Sequence, residues 1–154
     1  MPRLGLYDPM YFDLNCEIFY KEINSAGIHK LVSLPPKDID WNIKKETRIT
    51  SDYELFKAEA MVDNNKGGKT KLVAWFSPDL PPNFGPGLFN DLPGMITDIS
   101  VTELQAGIHY SMKAEKITLK NDLSLQIPLK DLEVITDSEL QAIFRKMNSN
   151  FRPD

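Results

Sequence analysis

The sequence has a single cysteine, Cys16, so no disulfide bond can form within the chain. No run reaches the roughly 18 consecutive apolar residues of a membrane-spanning helix, and no apolar signal-peptide core follows Met1. The net charge is −4, and the sequence contains no long cluster of lysines and arginines. We therefore expect no membrane span and no nucleic-acid partner.

Metal-binding side chains are also scarce. The nitrogen and sulfur candidates are His29, His109 and Cys16, which lie far apart and lack the paired spacing of a zinc site. Cys16 has no local signature of a catalytic nucleophile. The stretch Gly85-Pro86-Gly87 has Pro86 where a phosphate-binding loop needs a backbone amide. We expect no metal and no cofactor.

Length and composition indicate an ordinary globular protein. The chain has 154 residues, of which 42% are hydrophobic and 26% charged, so it can bury a core without disulfide bonds or metals. We find no internal repeat and no linker-like stretch. The expected organisation is one domain over residues 1–154, and residues 1–15 show no clear hydrophobic period.

Alternating hydrophobicity predicts strands along most of the chain. Residues 40–50 alternate cleanly, with Trp41, Ile43 and Ile49 on one face, which is typical of a half-buried strand. Residues 95–104 also alternate, and this pattern places Ile96 and Asp98 on the same face. The complete set of predicted strands is 17–24, 29–34, 40–50, 53–63, 70–77, 95–104, 108–119 and 123–128, with residues 1–15 a loop or a ragged first strand.

The end of the chain has a helical pattern. Thr136 and Glu139 have the spacing of a capping box, and Ile135 and Leu140 occupy the staple positions around it. Apolar residues then recur at helical spacing up to Met147. The expected fold is therefore mainly β (α+β): a curved antiparallel sheet of about seven or eight strands with one C-terminal amphipathic helix packed on it.

Residues 72–99 are the most distinctive part of the sequence. They hold five of the eleven prolines, three glycines and an apolar strand at each end. The prolines restrict φ and so reduce the entropy lost on ordering a long connection, and we expect Gly94 to have a backbone conformation closed to other residues. The aromatic side chains either pack this connection onto the sheet or form a surface for an apolar or sugar-like ligand: Trp75, Phe76, Phe84 and Phe89.

Carboxylates flank the same stretch. Asp79, Asp91 and Asp98 could supply the paired carboxylates of a hydrolase. With 22 acidic residues in the chain, however, neighbouring carboxylates arise by chance, and Asp91 suits a turn before Leu92 and Pro93. No complete catalytic signature is present, so the sequence favours a binding role over an enzymatic one.

The same stretch resembles the GLPGLI family, which is named for its Gly-Leu-Pro-Gly-Leu-Ile motif. Here the motif region reads Asp91-Leu92-Pro93-Gly94-Met95-Ile96, with Asp91 in place of the first glycine and Met95 in place of the last leucine. Further matching residues are Ala74-Trp75-Phe76-Ser77-Pro78, Gly85-Pro86, and upstream Trp41, Ile43, Glu46, Tyr53 and Lys57-Ala58. The similarity covers residues 41–100, whereas residues 1–40 match the family poorly. Leu55-Phe56 stand where the family has a cysteine.

The resemblance implies a secreted, periplasmic or outer-membrane-associated protein of the Bacteroidetes cell envelope. It implies a curved antiparallel sheet with one concave face, similar to the bowl-shaped, non-catalytic N-terminal domain of a bacterial peptide N-glycanase. It also implies structural roles for Pro78, Gly85, Pro86, Leu92, Pro93 and Gly94.

Three functional hypotheses follow from the sequence and this resemblance. The first is a non-catalytic module that binds a protein or a small apolar or saccharide ligand. The second is a carrier that holds an apolar ligand between the sheet and the helix. The third is a carboxylate-dependent hydrolase.

Overall fold

The computed structural model describes residues 8–13, 16–35, 38–64, 67–82, 85–87, 89–120 and 126–150. Within these residues the protein is mainly β, as expected, with nine strands and one helix. The strands are β1 (Met10–Asp13), β2 (Ile18–Ser25), β3 (Ile28–Leu34), β4 (Asn42–Ile49), β5 (Glu54–Asp63), β6 (Lys69–Ser77), β7 (Met95–Glu103), β8 (Ile108–Lys113) and β9 (Val134–Thr136), and the helix is α1 (Asp137–Ser149).

The strands form two open sheets, whereas the sequence pattern suggested one. The first has the order β1-β2-β3-β9 and the second the order β4-β5-β6-β7-β8. All pairs are antiparallel except β3 with β9, which is parallel. The chain correspondingly divides into two compact units, Met1–Pro36 with Asp122–Asp154 and Lys37–Asn121. The assignment of residues 1–154 to one GLPGLI-like domain stays a prediction.

The first unit contains the four-stranded sheet and the helix. The capping box is formed: Thr136 Oγ1 accepts from the Glu139 amide at 3.2 Å, and Glu139 Oε2 accepts from the Thr136 amide at 2.7 Å. The two staple residues, Ile135 and Leu140, are buried together with Val32. The amphipathic helix therefore packs on the sheet beside β3 and β9, as its apolar spacing predicted.

The second unit has its core on one face of the five-stranded sheet. Cross-strand neighbours such as Ala58 and Ala74 are fully buried there, so their small side chains leave space for covering segments. Ile39, before β4, and Leu92, after β6, belong to the same buried cluster. Trp41 packs on this cluster and donates from Nε1 to the carbonyl of Asn90 at 2.7 Å. Loops thus cover this face.

Strand β4 differs from its prediction in burial, although its position is confirmed. It is an edge strand with a register irregularity between Ile43 and Thr47, and Ile43 and Ile49 are 48% and 82% exposed. Edge position, charged side chains and a bulge are the usual protection of an edge against further pairing. Because nearly all of β4 is exposed, its alternation does not mark a half-buried face.

Two other strand predictions need correction. Strand β8 ends at Lys113, whereas the sequence pattern extended it to Leu119. Residues 126–128 are not in a strand, and the rest of the predicted strand 123–128 lies outside the described residues. Propensity alone lengthened both strands, because nothing in a local pattern shows where a pairing partner ends.

Strands β6 and β7 are joined by residues 78–94, here called the Pro/Gly segment. Its end meets its beginning: a Cβ atom on Gly94 would overlap the Ser77 carbonyl group and lie 2.8 Å from Pro78 Cα. Gly94 is not among the described residues with positive φ, whereas Asp91 is, at 68°. The expected reason for glycine at position 94, an unusual backbone conformation, was thus wrong. Glycine is required there because there is no space for a side chain.

We predict that Gly94→Ala lowers the unfolding free energy by about 3 kcal/mol, because the added methyl group forces two backbone segments apart. Thermal and urea unfolding measure the effect. Gly107→Ala is the matched control, since Gly107 has φ of 65° but nothing within 4 Å of an added Cβ. That variant should lose only about 1 kcal/mol. Equal losses in the two variants would contradict a steric role for Gly94.

Candidate functional site

Arg48, near the end of β4, is a charged side chain on the polar face of the five-stranded sheet that contacts residues of two other strands. Its guanidinium carbon lies 4.1 Å from the centre of the Trp75 ring, which is a cation–π distance. Its Nη1 donates to Asp98 Oδ2 at 3.2 Å. One side chain on β4 thereby contacts β6 and β7.

The strand register explains why these three residues meet. Trp75 and Asp98 are directly opposite each other on β6 and β7, and Lys113 of β8 is opposite Asp98. Arg48 is opposite Leu55 of β5, which is only 2% exposed although it is on the polar face. Paired residues share a face. Arg48 therefore extends across β5, above Leu55, to reach Trp75 and Asp98.

A cleft of about 440 Å³ lies beside this arginine. One group of its lining residues comes from β4, β5 and the turn between them, and the other comes from β7, β8 and the segment after β8. The cleft therefore extends across one face of the sheet, from the β4 edge to the β8 edge. We call it the Arg48 cleft, and its lining residues are Arg48, Thr50, Ser51, Asp52, Tyr53, Leu55, Thr97, Asp98, Lys113, Ala114, Glu115, Lys116 and Ile117.

The charges of the Arg48 cleft balance. Three cationic side chains, Arg48, Lys113 and Lys116, stand with three anionic ones, Asp52, Asp98 and Glu115. Among the described residues, Lys113 and Lys116 form no ion pair. The cleft therefore offers groups of both signs to a ligand.

A second pocket, of about 360 Å³, lies at the same end of the five-stranded sheet. Its walls include Met95, Ile96 and Met112, together with Gly85 and Pro86 of the Pro/Gly segment. Ile96 belongs to the buried core and Met112 packs against it. This pocket is consequently the more apolar of the two.

The three described members of the predicted ligand-binding aromatic set do not all lie together. Phe76 is 3% exposed inside the core, and Phe89 packs against that core. Trp75 is on the opposite face of the sheet, beneath Arg48. Phe84 lies outside the described residues. Of the three described rings, Trp75 is the one in contact with Arg48, and the ligand-binding role of the set stays a prediction.

The predicted structural residues have three kinds of surroundings. Leu92 and Gly94 are buried, Gly85 and Pro86 line the apolar pocket, and Pro78 and Pro93 are exposed. A Cβ atom at Gly85 would lie 3.1 Å from the Phe89 carbonyl oxygen and 3.2 Å from Ile96 Cβ. Gly85 and Gly94 are therefore both at points of close approach.

The three carboxylates proposed for a hydrolase have different surroundings. Asp98 is bound to Arg48, and its side chain is 15% exposed. Asp79 and Asp91 are exposed and do not line the Arg48 cleft. Only Asp98 is thus part of this cleft.

The potential metal ligands are separated as well. His29 contacts Glu22, His109 Nδ1 is 2.8 Å from Thr102 Oγ1, and Cys16 is exposed. Within the described parts of the chain, no three His, Cys, Asp or Glu side chains cluster closely enough to hold a metal ion. No described helix is long and apolar enough to cross a membrane.

The first unit has its own polar cluster on the sheet face opposite the helix. Tyr11 donates to Glu22 Oε2 at 3.0 Å, and His29 Nε2 is 2.8 Å from Glu22 Oε1, so one carboxylate links β1, β2 and β3. The bond from His29 and then that from Tyr11 lower the pKa of Glu22 below 4.5. The same carboxylate raises the pKa of Tyr11 above 10.0. The cluster thus connects three neighbouring strands.

Sequence reasoning did not identify Arg48 or the Tyr11–Glu22–His29 cluster. The sequence contains one indication of the position of Arg48. In the alternating pattern of its strand, Arg48 falls on the same face as the other polar residues. Its contacts with Trp75 and Asp98 join residues that are 27 and 50 positions away, and no local pattern encodes such a pairing.

No protein-family model, no curated protein and no solved structure matches this chain. The resemblance to the GLPGLI family consequently stays a hypothesis.

We predict a coupling energy of about 0.5–1 kcal/mol between Arg48 and Asp98, since partly exposed ion pairs have this size. A double-mutant cycle of Arg48→Ala and Asp98→Ala, followed by urea unfolding, measures it, and added salt should reduce it. The control cycle uses Lys69 and Asp63, whose side chains are 60% and 81% exposed and should couple weakly. Equal coupling in the two cycles would show that the Arg48 pair has no special geometry.

Glu22 should make the free energy of unfolding depend on pH in the acidic range. A carboxyl whose pKa is lowered by folding stabilises the folded state above its unfolded pKa, and this contribution is lost as pH falls through the folded pKa. Glu22→Gln should therefore be less stable than the wild type at about pH 7, and the difference should shrink below pH 4.5.

Urea unfolding of both proteins across this pH range tests the prediction. Glu54→Gln, which changes an exposed glutamate on β5, is the control for the general effect of removing one carboxylate. A difference between wild type and Glu22→Gln that stays constant below pH 4.5 would disprove the assignment to Glu22.

Proposed function

We propose that this protein is a non-catalytic binding module that holds a small polar ligand in the Arg48 cleft. The observation that carries the proposal is an arginine held at two points beside a cleft of about 440 Å³. Ligand sites in proteins commonly have volumes of about 300–1,000 Å³ and a few fixed polar groups.

The positions of the polar groups favour binding over catalysis. A paired-carboxylate hydrolase needs one carboxylic acid and one carboxylate on either side of the scissile bond. Asp98 is held by Arg48, while Asp79 and Asp91 are outside the cleft lining. The hydrolase hypothesis built on Asp79, Asp91 and Asp98 therefore has less support than the binding hypothesis.

A carrier of apolar ligands is the second candidate, and the pocket beside Met95, Ile96 and Met112 favours it. Its position differs from that in the sequence-based hypothesis, which placed the ligand between the sheet and the helix. The helix instead packs its apolar residues with Val32 and Ile135. The apolar alternative therefore rests on the five-stranded sheet alone.

The proposed location is the cell envelope or the secreted fraction, and its support is the GLPGLI resemblance of residues 41–100. Fractionation of cells that express the native gene with a C-terminal tag tests this location. Recovery of the tagged protein only from the cytoplasm would disprove it and would leave the proposed binding site unaffected.

We predict that mixtures of small polar compounds will shift amide NMR signals of residues 48–55, 97–98 and 113–117. Arg48→Gln should weaken these shifts, because the cleft loses its fixed cation. Fatty acids and other apolar compounds are the comparison set. Shifts confined to residues 85–86, 95–96 and 112 would favour the apolar carrier, and the absence of any localised shift would contradict both binding hypotheses.

A further inference from the structure

Arg48 has hydrogen-bond donors that a ligand in the cleft can use. A guanidinium has five N–H donors in a planar fork, and the described contacts of Arg48 include one hydrogen bond, to Asp98 at 3.2 Å. The side chain is 47% exposed and lines the cleft, so other donors are accessible from it. A carboxylate matches this fork with two parallel hydrogen bonds.

Trp75 and Asp98 hold the Arg48 side chain in place before a ligand binds. A free arginine side chain loses substantial conformational entropy when a ligand fixes it. Here the Trp75 ring lies 4.1 Å from the guanidinium carbon, and Asp98 holds Nη1. Because the side chain is already ordered, less entropy remains to be lost on binding.

The other charges define the rest of the ligand. Asp52, Asp98 and Glu115 line the cleft and would repel a polyanion. The same carboxylates favour a cationic group on the ligand, while Lys113 and Lys116 favour an anionic one. A molecule that carries one carboxylate and one ammonium group satisfies both sets.

We propose that the Arg48 cleft binds the carboxylate of a small dipolar ligand, such as a free amino acid or a short peptide with a free C-terminus. Arg48 receives the carboxylate, and Trp75 and Asp98 are positioning residues that hold Arg48. The inference rests on the proposed function, because it assigns a ligand class to the same cleft.

Titration of the protein with trialanine and with trialanine amide, followed by amide NMR shifts, tests the inference. The two peptides differ only at the C-terminus. Trialanine should perturb residues that line the Arg48 cleft, and the amide should bind about tenfold or more weakly, because a charged hydrogen-bonded pair is lost. Inorganic phosphate should bind more weakly than trialanine because the acidic side chains repel it.

Variants locate the contact. Arg48→Gln should weaken trialanine binding about tenfold or more, and Arg48→Lys should also weaken it because lysine lacks the planar fork. Lys71→Gln is the matched control, because this substitution also removes one positive charge. Lys71 is on the same sheet face but does not line the cleft. It should bind trialanine like the wild type. The dispersion of the NMR spectrum verifies that each variant is folded.

The outcomes separate this inference from the broader proposal. Equal binding of trialanine and its amide within the cleft would overturn the carboxylate assignment and leave the binding function standing. Tighter binding of phosphate would overturn the dipolar ligand, again without affecting the cleft. If neither peptide perturbs the cleft, the inference fails, while the screen of polar compounds still decides the binding function.

Discussion

The contact between the Ser77 and Gly94 backbones is the constraint on which the second unit depends. It closes the Pro/Gly segment into a loop with fixed ends, so that β7 starts beside the end of β6. Between those ends, Leu92 is buried in the sheet core, and the Asn90 carbonyl accepts from Trp41. One glycine without a side chain thus allows the connection to return and cover the core.

The start of β7 also determines which side chains enter the Arg48 cleft. Phe76 is opposite Ile96, yet Trp75 is opposite Asp98, so one extra residue, Thr97, is accommodated between them. In regular pairing, Asp98 would be opposite Ala74 and would face the core. The bulge instead moves Asp98 to the polar face beside Trp75, while Ile99 takes its place opposite Ala74. A single inserted residue therefore creates the partner of Arg48.

This bulge is a feature that the sequence pattern did not predict. The capping box at Thr136, the helix that follows it, and most strands were predictable, because their signals are local and repeat with a fixed period. Alternation in β7 placed Ile96 and Asp98 on one face, whereas the bulge separates them. A bulge changes the register without an evident sequence signal, and each position after it changes face.

The division into two sheets was unpredictable for a related reason. Local patterns show that a segment is a strand but not which strand it pairs with. Strand β9 has only three residues, and it joins its sheet through a parallel pairing with β3, which is about a hundred residues earlier: Leu31 is opposite Val134. Such long-range contacts are determined by the complete fold.

The arrangement around Arg48 also sets a limit on how it can bind. Asp98 orders the guanidinium, but it occupies one of the donors that a carboxylate ligand would use. Trp75 covers one face of the same group, so a ligand has to approach along the remaining edge in the plane of the guanidinium. Removal of Asp98 would free a donor and at the same time release the side chain. If ordering matters more than donor number, Asp98→Asn should bind a carboxylate more weakly than the wild type, despite the loss of a repelling charge.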